Sequence, residues 1–185
     1  PGRMKYYRDN LAAVSLGEKI YAIGGYNGRN YLSTVEVYNP STKTWTAIAP
    51  MNTKRIYLAA VSLGGKVYAI GGRGMLNSVE VYESSTNRWS SIASMSSKRG
   101  YLAAVSLGGK VYAIGGHDGI NALKSAEVYD PSTNKWTEIA PMLTKRSRLA
   151  AVSLGDKVYA IGGSVMPGGR NFLKSAEVYD PTTGV

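Results

Sequence analysis

The chain has 185 residues, 44% of them apolar, with 22 glycines, 14 tyrosines, no cysteine, one histidine and a formal net charge of +10. That length carries one domain of ordinary size, or at most two small ones, and can bury a core without staples. The apolar content excludes an acidic disordered chain, the lack of cysteine excludes disulfide scaffolds and thiolate zinc sites, the lone His117 excludes a site of two or three imidazoles, and no apolar run approaches the ~18 residues of a membrane span.

The opening PGRMKYYRDN has no signal-peptide h-region. With no cysteine and no N-x-S/T acceptor, it favours an intracellular, cytoplasmic protein. LAAVSL from Leu11 then reads as a short strand, and Gly17-Glu18 as a hairpin turn into KIYAIGG. In that second strand Ile20 and Ala22 point one way and Tyr21 and Ile23 the other, so both faces are apolar. A loop carrying Tyr26 and Arg29 follows, then a third strand ending in VEVY at Tyr38. Asn39-Pro40-Ser41-Thr42-Lys43-Thr44 turns the chain into a fourth strand, WTAIAPM, and a connection containing Lys54-Arg55 leads to the next LAAVSL.

The cycle recurs. LAAVSLG begins at Leu11, Leu58, Leu102 and Leu149, spaced 47, 44 and 47; YAIGG ends at Gly25, Gly72, Gly116 and Gly163; the third strand ends at Tyr38, Tyr82, Tyr129 and Tyr179. Trp45, Trp89 and Trp136 each lie seven residues beyond the first three tyrosines. Only the segment between the Gly pair and the Tyr varies, holding 12, 9, 12 and 15 residues, which marks a surface loop on a fixed scaffold. Units 11–57, 58–101, 102–148 and 149–185 of four short antiparallel strands predict an all-β propeller. The fourth unit stops at Val185 before a Trp strand, leaving one edge unpaired. We expect a piece of a longer propeller, or one that self-associates through its uncovered faces.

The Gly-Gly pair, Tyr and Trp at these spacings resemble the kelch motif, most fully in the third unit: Arg99, LAAVSLGGKVYAIGG, His117-Asp118-Gly119, AEVYDPSTNKW and EIAPM. The wording VYD-P-x-T-x-x-W-x-x-[IV]-A-P-M is most similar to metazoan kelch-like adaptors. The resemblance covers nearly the whole chain and implies a protein-interaction module that recruits a partner to a cullin-type ubiquitin ligase or binds a cytoskeletal partner. The BTB and BACK domains of such adaptors are absent from these residues.

The Gly pairs have no helix N-terminus after them to bind phosphate, so a tight path between blades is the better reading. The Tyr-Trp set reads as packing between blades. Glu36, Glu80, Glu127 and Glu177, in separate blades, do not form a catalytic carboxylate pair; each is expected to pair with an Arg of the inter-unit connection. Arg8, Arg55, Arg99 and Arg146 stand three residues before each repeating Leu, beside Lys54, Lys98, Lys145 and Arg148, and the variable loop adds Arg29, Arg73 and Arg170. With Lys5 these are twelve bases, against Asp9 and Asp118. Strand alternation puts both loop classes at one end of each blade, and the resemblance to kelch-like adaptors implies that this end meets the partner.

We therefore expect Arg29, Arg55, Arg73, Arg99, Arg146, Arg148, Arg170, Tyr26 and His117 to bind an acidic protein segment, since guanidinium forks suit carboxylates. No catalytic residue, metal or cofactor is expected. Alternatives are a kelch-fold sugar isomerase or epimerase, RNA binding through Tyr26, Tyr31, Tyr57 and Tyr101, or a duplicated or consensus repeat with no natural ligand.

Overall fold

Alternating apolar residues bounded by Gly and Pro/Asn turns form strands throughout. In the computed structural model, which describes residues 2–74, 76–166 and 171–185, LAAVSL yields β1 (Ala12–Leu16), β5 (Ala59–Leu63), β9 (Ala103–Leu107) and β13 (Ala150–Leu154). The YAI segments give β2 (Lys19–Ile23), β6 (Lys66–Ile70), β10 (Lys110–Ile114) and β14 (Lys157–Ile161). The third strands are β3 (Val35–Asn39), β7 (Val79–Glu83), β11 (Ala126–Asp130) and β15 (Ala176–Tyr179). The Trp strands are β4 (Thr44–Ile48), β8 (Arg88–Ile92) and β12 (Lys135–Ile139). They pair as antiparallel sheets in the orders β1-β2-β3-β4, β5-β6-β7-β8, β9-β10-β11-β12 and β13-β14-β15. These are the blades of a β-propeller, and the described residues include no helix.

Turn chemistry fixes the register. Gly64 and Gly65 both take positive φ (57° and 74°), the primed hairpin geometry that matches strand twist. The third-to-fourth turns place Lys43, Asn87, Asn134 and Gly184 in the left-handed region. Tyr38, Tyr82 and Tyr129 then stand opposite Trp45, Trp89 and Trp136.

The core lies between blades. β1 packs on β5, β5 on β9 and β9 on β13. At the first interface Tyr21 meets Tyr82 at 6.0 Å, Tyr82 meets Trp89 at 5.3 Å, and the Trp89 indole N–H donates to Ala49 O at 3.0 Å. The second repeats this with Tyr68, Tyr129 and Trp136, whose indole donates to Ala93 O at 2.9 Å. Each such ring removes ~150–250 Å² from water, or roughly 4–6 kcal/mol gross. The third interface has the Tyr112–Tyr179 pair at 6.2 Å but no Trp. Among the described residues no buried cluster joins the fourth blade to the first. The blades form an arc, with Ile20 exposed at one end and Leu154 at the other.

The Gly pairs do what a close approach requires. A Cβ on Gly24 would sit 2.5 Å from Arg55 O, and Gly71 and Gly115 are crowded the same way by Arg99 O and Arg146 O. The next residues, Gly25, Gly72 and Gly116, donate their N–H to those same carbonyls at 2.8 Å.

Candidate partner-binding rim

Strand alternation brings the β2–β3-type loops and the inter-unit connections to one end of the arc. Short bridges tie them there: Asp9 to Tyr26, Gly100 to His117 and Ser147 to Ser164.

The recurrent arginines are not on its surface. The side chains of Arg8, Arg55, Arg99 and Arg146 are fully buried, paired with Glu36, Glu80, Glu127 and Glu177 at 2.9–3.0 Å. Arg55 shows the pattern. Its Nη1 donates to Gly71 O (2.7 Å) and Ser78 O (2.9 Å), Nη2 to Ser78 Oγ and Glu80 Oε1 (both 3.0 Å), and Nε to Glu80 Oε1 at 3.3 Å. Its carbonyl meanwhile accepts from Gly25 in the preceding blade. Arg55, Arg99 and Arg146 thus each staple two blades, backbone to one and side chain to the next.

The reading of Arg55, Arg99 and Arg146 as partner-binding is therefore corrected. Their forks are spent on internal carbonyls and carboxylates, which a buried charge needs. Burial pulls the Arg55 and Arg99 guanidiniums below their ordinary values, and the Glu partners oppose this. For Glu177 burial resists ionisation, yet the N–H groups of Leu143 and Thr144 and the Arg146 guanidinium hold its carboxyl below the usual range. Arg170 lies outside the described residues.

Arg29, Arg73 and Arg148 are exposed, with Tyr26 and His117 partly so. Arg148 lies over the Tyr101 ring at 4.5 Å, and Tyr101 stacks on Tyr57 at 3.9 Å. The stack follows from the backbone: Tyr57, Tyr101 and Arg148, each just before a repeating Leu, are left-handed, and a ladder of N–H···O bonds runs from Arg148 to Tyr101, Tyr57 and Asn10. Burial raises the Tyr101 phenol, helped by its hydrogen bond with Tyr57, while Arg148 and Arg73 pull it back. Arg73 thus belongs to the same electrostatic cluster.

Tyr26 donates its hydroxyl to Gly28 O at 2.8 Å and meets Tyr31 edge-on at 5.7 Å. His117 Nδ1 accepts from the Gly119 N–H at 2.9 Å, which leaves Nε2 to carry the ring proton. That Nε2 is buried and has no partner among the described residues. The N–H groups of Asn121 and Ile120 bind the Asp118 carboxylate at 2.7 Å and hold its pKa down, which keeps it ionised.

Sequence reasoning missed the rim's apolar component. Ile120 is 72% exposed, Phe172 80%, and Tyr31, Tyr7 and Leu143 are exposed in other loops and connections of the same end. The available signal was large apolar residues inside otherwise polar loops. Among the described residues no group of three or more His, Asp or Glu side chains could hold a metal, and no helix is long and apolar enough to cross a membrane.

A family profile for the KLHDC2/KLHL20/DRC7 Kelch-repeats domain matches residues 2–163, and one for the Kelch motif matches 145–185. Over 52 residues, 28% of this chain, it is 46% identical to the human influenza virus NS1A-binding protein, and over 48 residues, 26% of this chain, 44% identical to human Kelch-like protein 4. A putative F-box/kelch-repeat protein of Arabidopsis thaliana is 43% identical over 47 residues, 25% of this chain. These matches span 8%, 7% and 13% of the relatives' lengths. With the profile match extending over most of its length, and with four sheets joined by Gly-Gly, Tyr and Trp contacts, the chain belongs to the kelch-repeat family.

Proposed function

We propose that this chain is a protein-interaction module, not an enzyme, and that it holds an acidic partner segment on the loop end of the arc. The observation carrying this reading is the Tyr57–Tyr101–Arg148 stack, with Arg73 in its field, on an end of the blades whose loops also carry exposed apolar side chains. Guanidinium forks bind carboxylates in two-point fashion, and exposed aromatic and aliphatic groups supply the contact area that charge alone lacks. By likeness to the kelch-like relatives, the wider role is partner recognition for a cytoplasmic cullin-ligase or cytoskeletal adaptor.

The test is titration of acidic peptides at two salt concentrations against the Arg73→Glu/Arg148→Glu variant. Binding should weaken steeply with salt and be lost in the variant, with the thermal melt unchanged. Unchanged binding would move the functional surface off this end.

A further inference from the structure

We propose that the partner segment held on the loop end carries a phosphorylated side chain, and that Arg148, Arg73 and the Tyr101 hydroxyl bind its phosphate. The inference rests on the proposed partner-binding role of that end and names the chemistry of what is bound there.

Backbone conformation points to function at this place. Tyr57, Tyr101 and Arg148 take φ of 57°, 56° and 57°, a left-handed region that suits Gly and Asn and is uncommon for bulky side chains. Asn10 holds the equivalent place in the first blade at φ 53°. Fold stability alone would repeat that Asn, or a Gly. Two tyrosines and an arginine there bring backbone strain, and strain of this kind gathers at binding sites. The result is a fixed cation: Tyr101 stacks on Tyr57 at 3.9 Å, and the Arg148 guanidinium lies over the Tyr101 ring at 4.5 Å. Held by its face, a guanidinium keeps its N–H edge for a ligand.

Arg73 approaches the same phenol from the neighbouring loop. Its backbone N–H donates to Ile56 O at 2.7 Å, so the residue starts beside Tyr57. Gly100, the residue before Tyr101, makes room for it: a Cβ there would stand 3.2 Å from Gly72 O and 3.4 Å from Arg73 N. Burial raises the Tyr101 phenol, and Arg148 and Arg73 both pull it back, as cations near its hydroxyl do. Both arginines are exposed. Among the described residues neither side chain donates a hydrogen bond or forms an ion pair, in contrast to Arg55, whose guanidinium is bonded to internal acceptors.

Two guanidiniums converging on one phenol exceed what a single carboxylate takes up. One fork matches its two oxygens and cancels its one charge. A phosphate monoester carries about −1.5 to −2 charges at pH 7 and three acceptor oxygens, enough for both forks and for the Tyr101 O–H. Ile120 and Tyr31, exposed in loops of the same end, give the flanking chain contact area that a free phosphate ion would not use.

The probes are labelled nonapeptide pools with random flanks and a fixed central phosphoserine, glutamate or serine, titrated into the protein by fluorescence anisotropy, with inorganic phosphate as competitor. The expected result is binding of the phosphoserine pool at least about tenfold tighter than the glutamate pool, with the serine pool weaker still. Arg148→Lys keeps the charge and loses the fork, and Tyr101→Phe keeps the ring and loses the hydroxyl. Each should narrow the preference for phosphate with the thermal melt unchanged, and Arg73→Gln, on an exposed loop, decides the matter if either protein fails to fold. Equal binding of the phosphoserine and glutamate pools would overturn the phosphate and leave the acidic-partner reading standing. Equal binding of all three pools would overturn both. A preference for phosphate that survives Arg73→Gln would place its site elsewhere, and inorganic phosphate competing at the concentration of the phosphoserine pool would make this a free-anion site; either result overturns the proposal.

Discussion

Arg99→Ala removes the staple between the second and third blades. The wild-type side chain makes five hydrogen bonds, two to Glu127 Oε1 (3.0 and 3.3 Å), two to the carbonyls of Gly115 and Ser125 (2.9 and 2.8 Å) and one to Ser125 Oγ at 2.9 Å. Truncation leaves Glu127, itself only 1% exposed, with the N–H groups of Ser96 and Ser97 as its remaining donors. Breaking one side of a buried pair costs about 3–5 kcal/mol, because the orphaned charge stays desolvated. Against a total stability of ~5–15 kcal/mol that is a large fraction, and it should lower the melting temperature by roughly 6–20 °C. Arg99→Lys keeps the charge but cannot fork to two carbonyls and a carboxylate, so it should lose most of the same stability. Urea titration followed by Trp fluorescence reads this, since Trp89 and Trp136 flank the interface. A loss below about 1 kcal/mol for Arg99→Ala, or an Arg99→Lys protein indistinguishable from wild type, would refute the staple and reopen a surface role for the recurrent arginines.

Trp89→Ala should cost about 3–5 kcal/mol by denaturant titration, and Trp45→Ala clearly less, because Trp45 is only half-buried beside Tyr38 while Trp89 is buried and donates its indole N–H to Ala49 O. Lys43→Asn should raise stability by about 0.5–1 kcal/mol in the same assay: Asn tolerates the left-handed backbone better, and Asn87 and Asn134 at the matching positions accept the Tyr82 and Tyr129 hydroxyls at 3.0 Å. Glu177, held below its ordinary pKa, stabilises the fourth blade fully above the unfolded carboxylate value of ~4.3; that contribution is lost as pH falls through the lower folded value. Exchange protection in β13–β15, corrected for intrinsic rates, should therefore drop below about pH 4, and Glu177→Gln should abolish the pH dependence.

The period and the punctuation made the scaffold legible. Fixed spacing from each repeating Leu to its Gly pair and from each Tyr to its Trp required sheets stacked face to face, and length variation confined to the segment between the Gly pair and the Tyr marked the loop end. The pairing of Arg with the motif Glu was readable from recurrence: a residue held at one offset in every unit answers to the scaffold. Standing beside Lys54, Lys98 and Lys145, the same residues also looked like part of a basic surface. What separates the two roles is a set of main-chain acceptors, Gly71 O and Ser78 O for Arg55, and no side-chain pattern encodes where carbonyls point. The Tyr57–Tyr101–Arg148 stack was hidden for a similar reason. It depends on three left-handed residues placed one above another by a backbone ladder, and a Tyr, a Tyr and an Arg share no sequence motif.

Burying four arginines does not weaken the basic character of the surface. Each staple consumes one base and one acid, so of 22 bases and 12 acids the pairs remove four of each and leave the +10 excess undiminished. Few of the remaining acids share the loop end. Glu83, Asp130 and Asp180 pair with Lys66, Lys110 and Lys157, and with Glu18 and Asp156 in hairpin turns they lie at the opposite end of the blades. The loop end keeps Asp9, Asp118 and Glu138, the last accepting from the Ser96 hydroxyl at 3.2 Å. At that end Arg29, Arg73 and Arg148 and the lysines of the inter-unit connections outnumber these acids. Positive potential collects at the end where the loops vary in length. The repeat consumes arginines in matched pairs, and the charge free to meet a partner comes from residues outside that pattern.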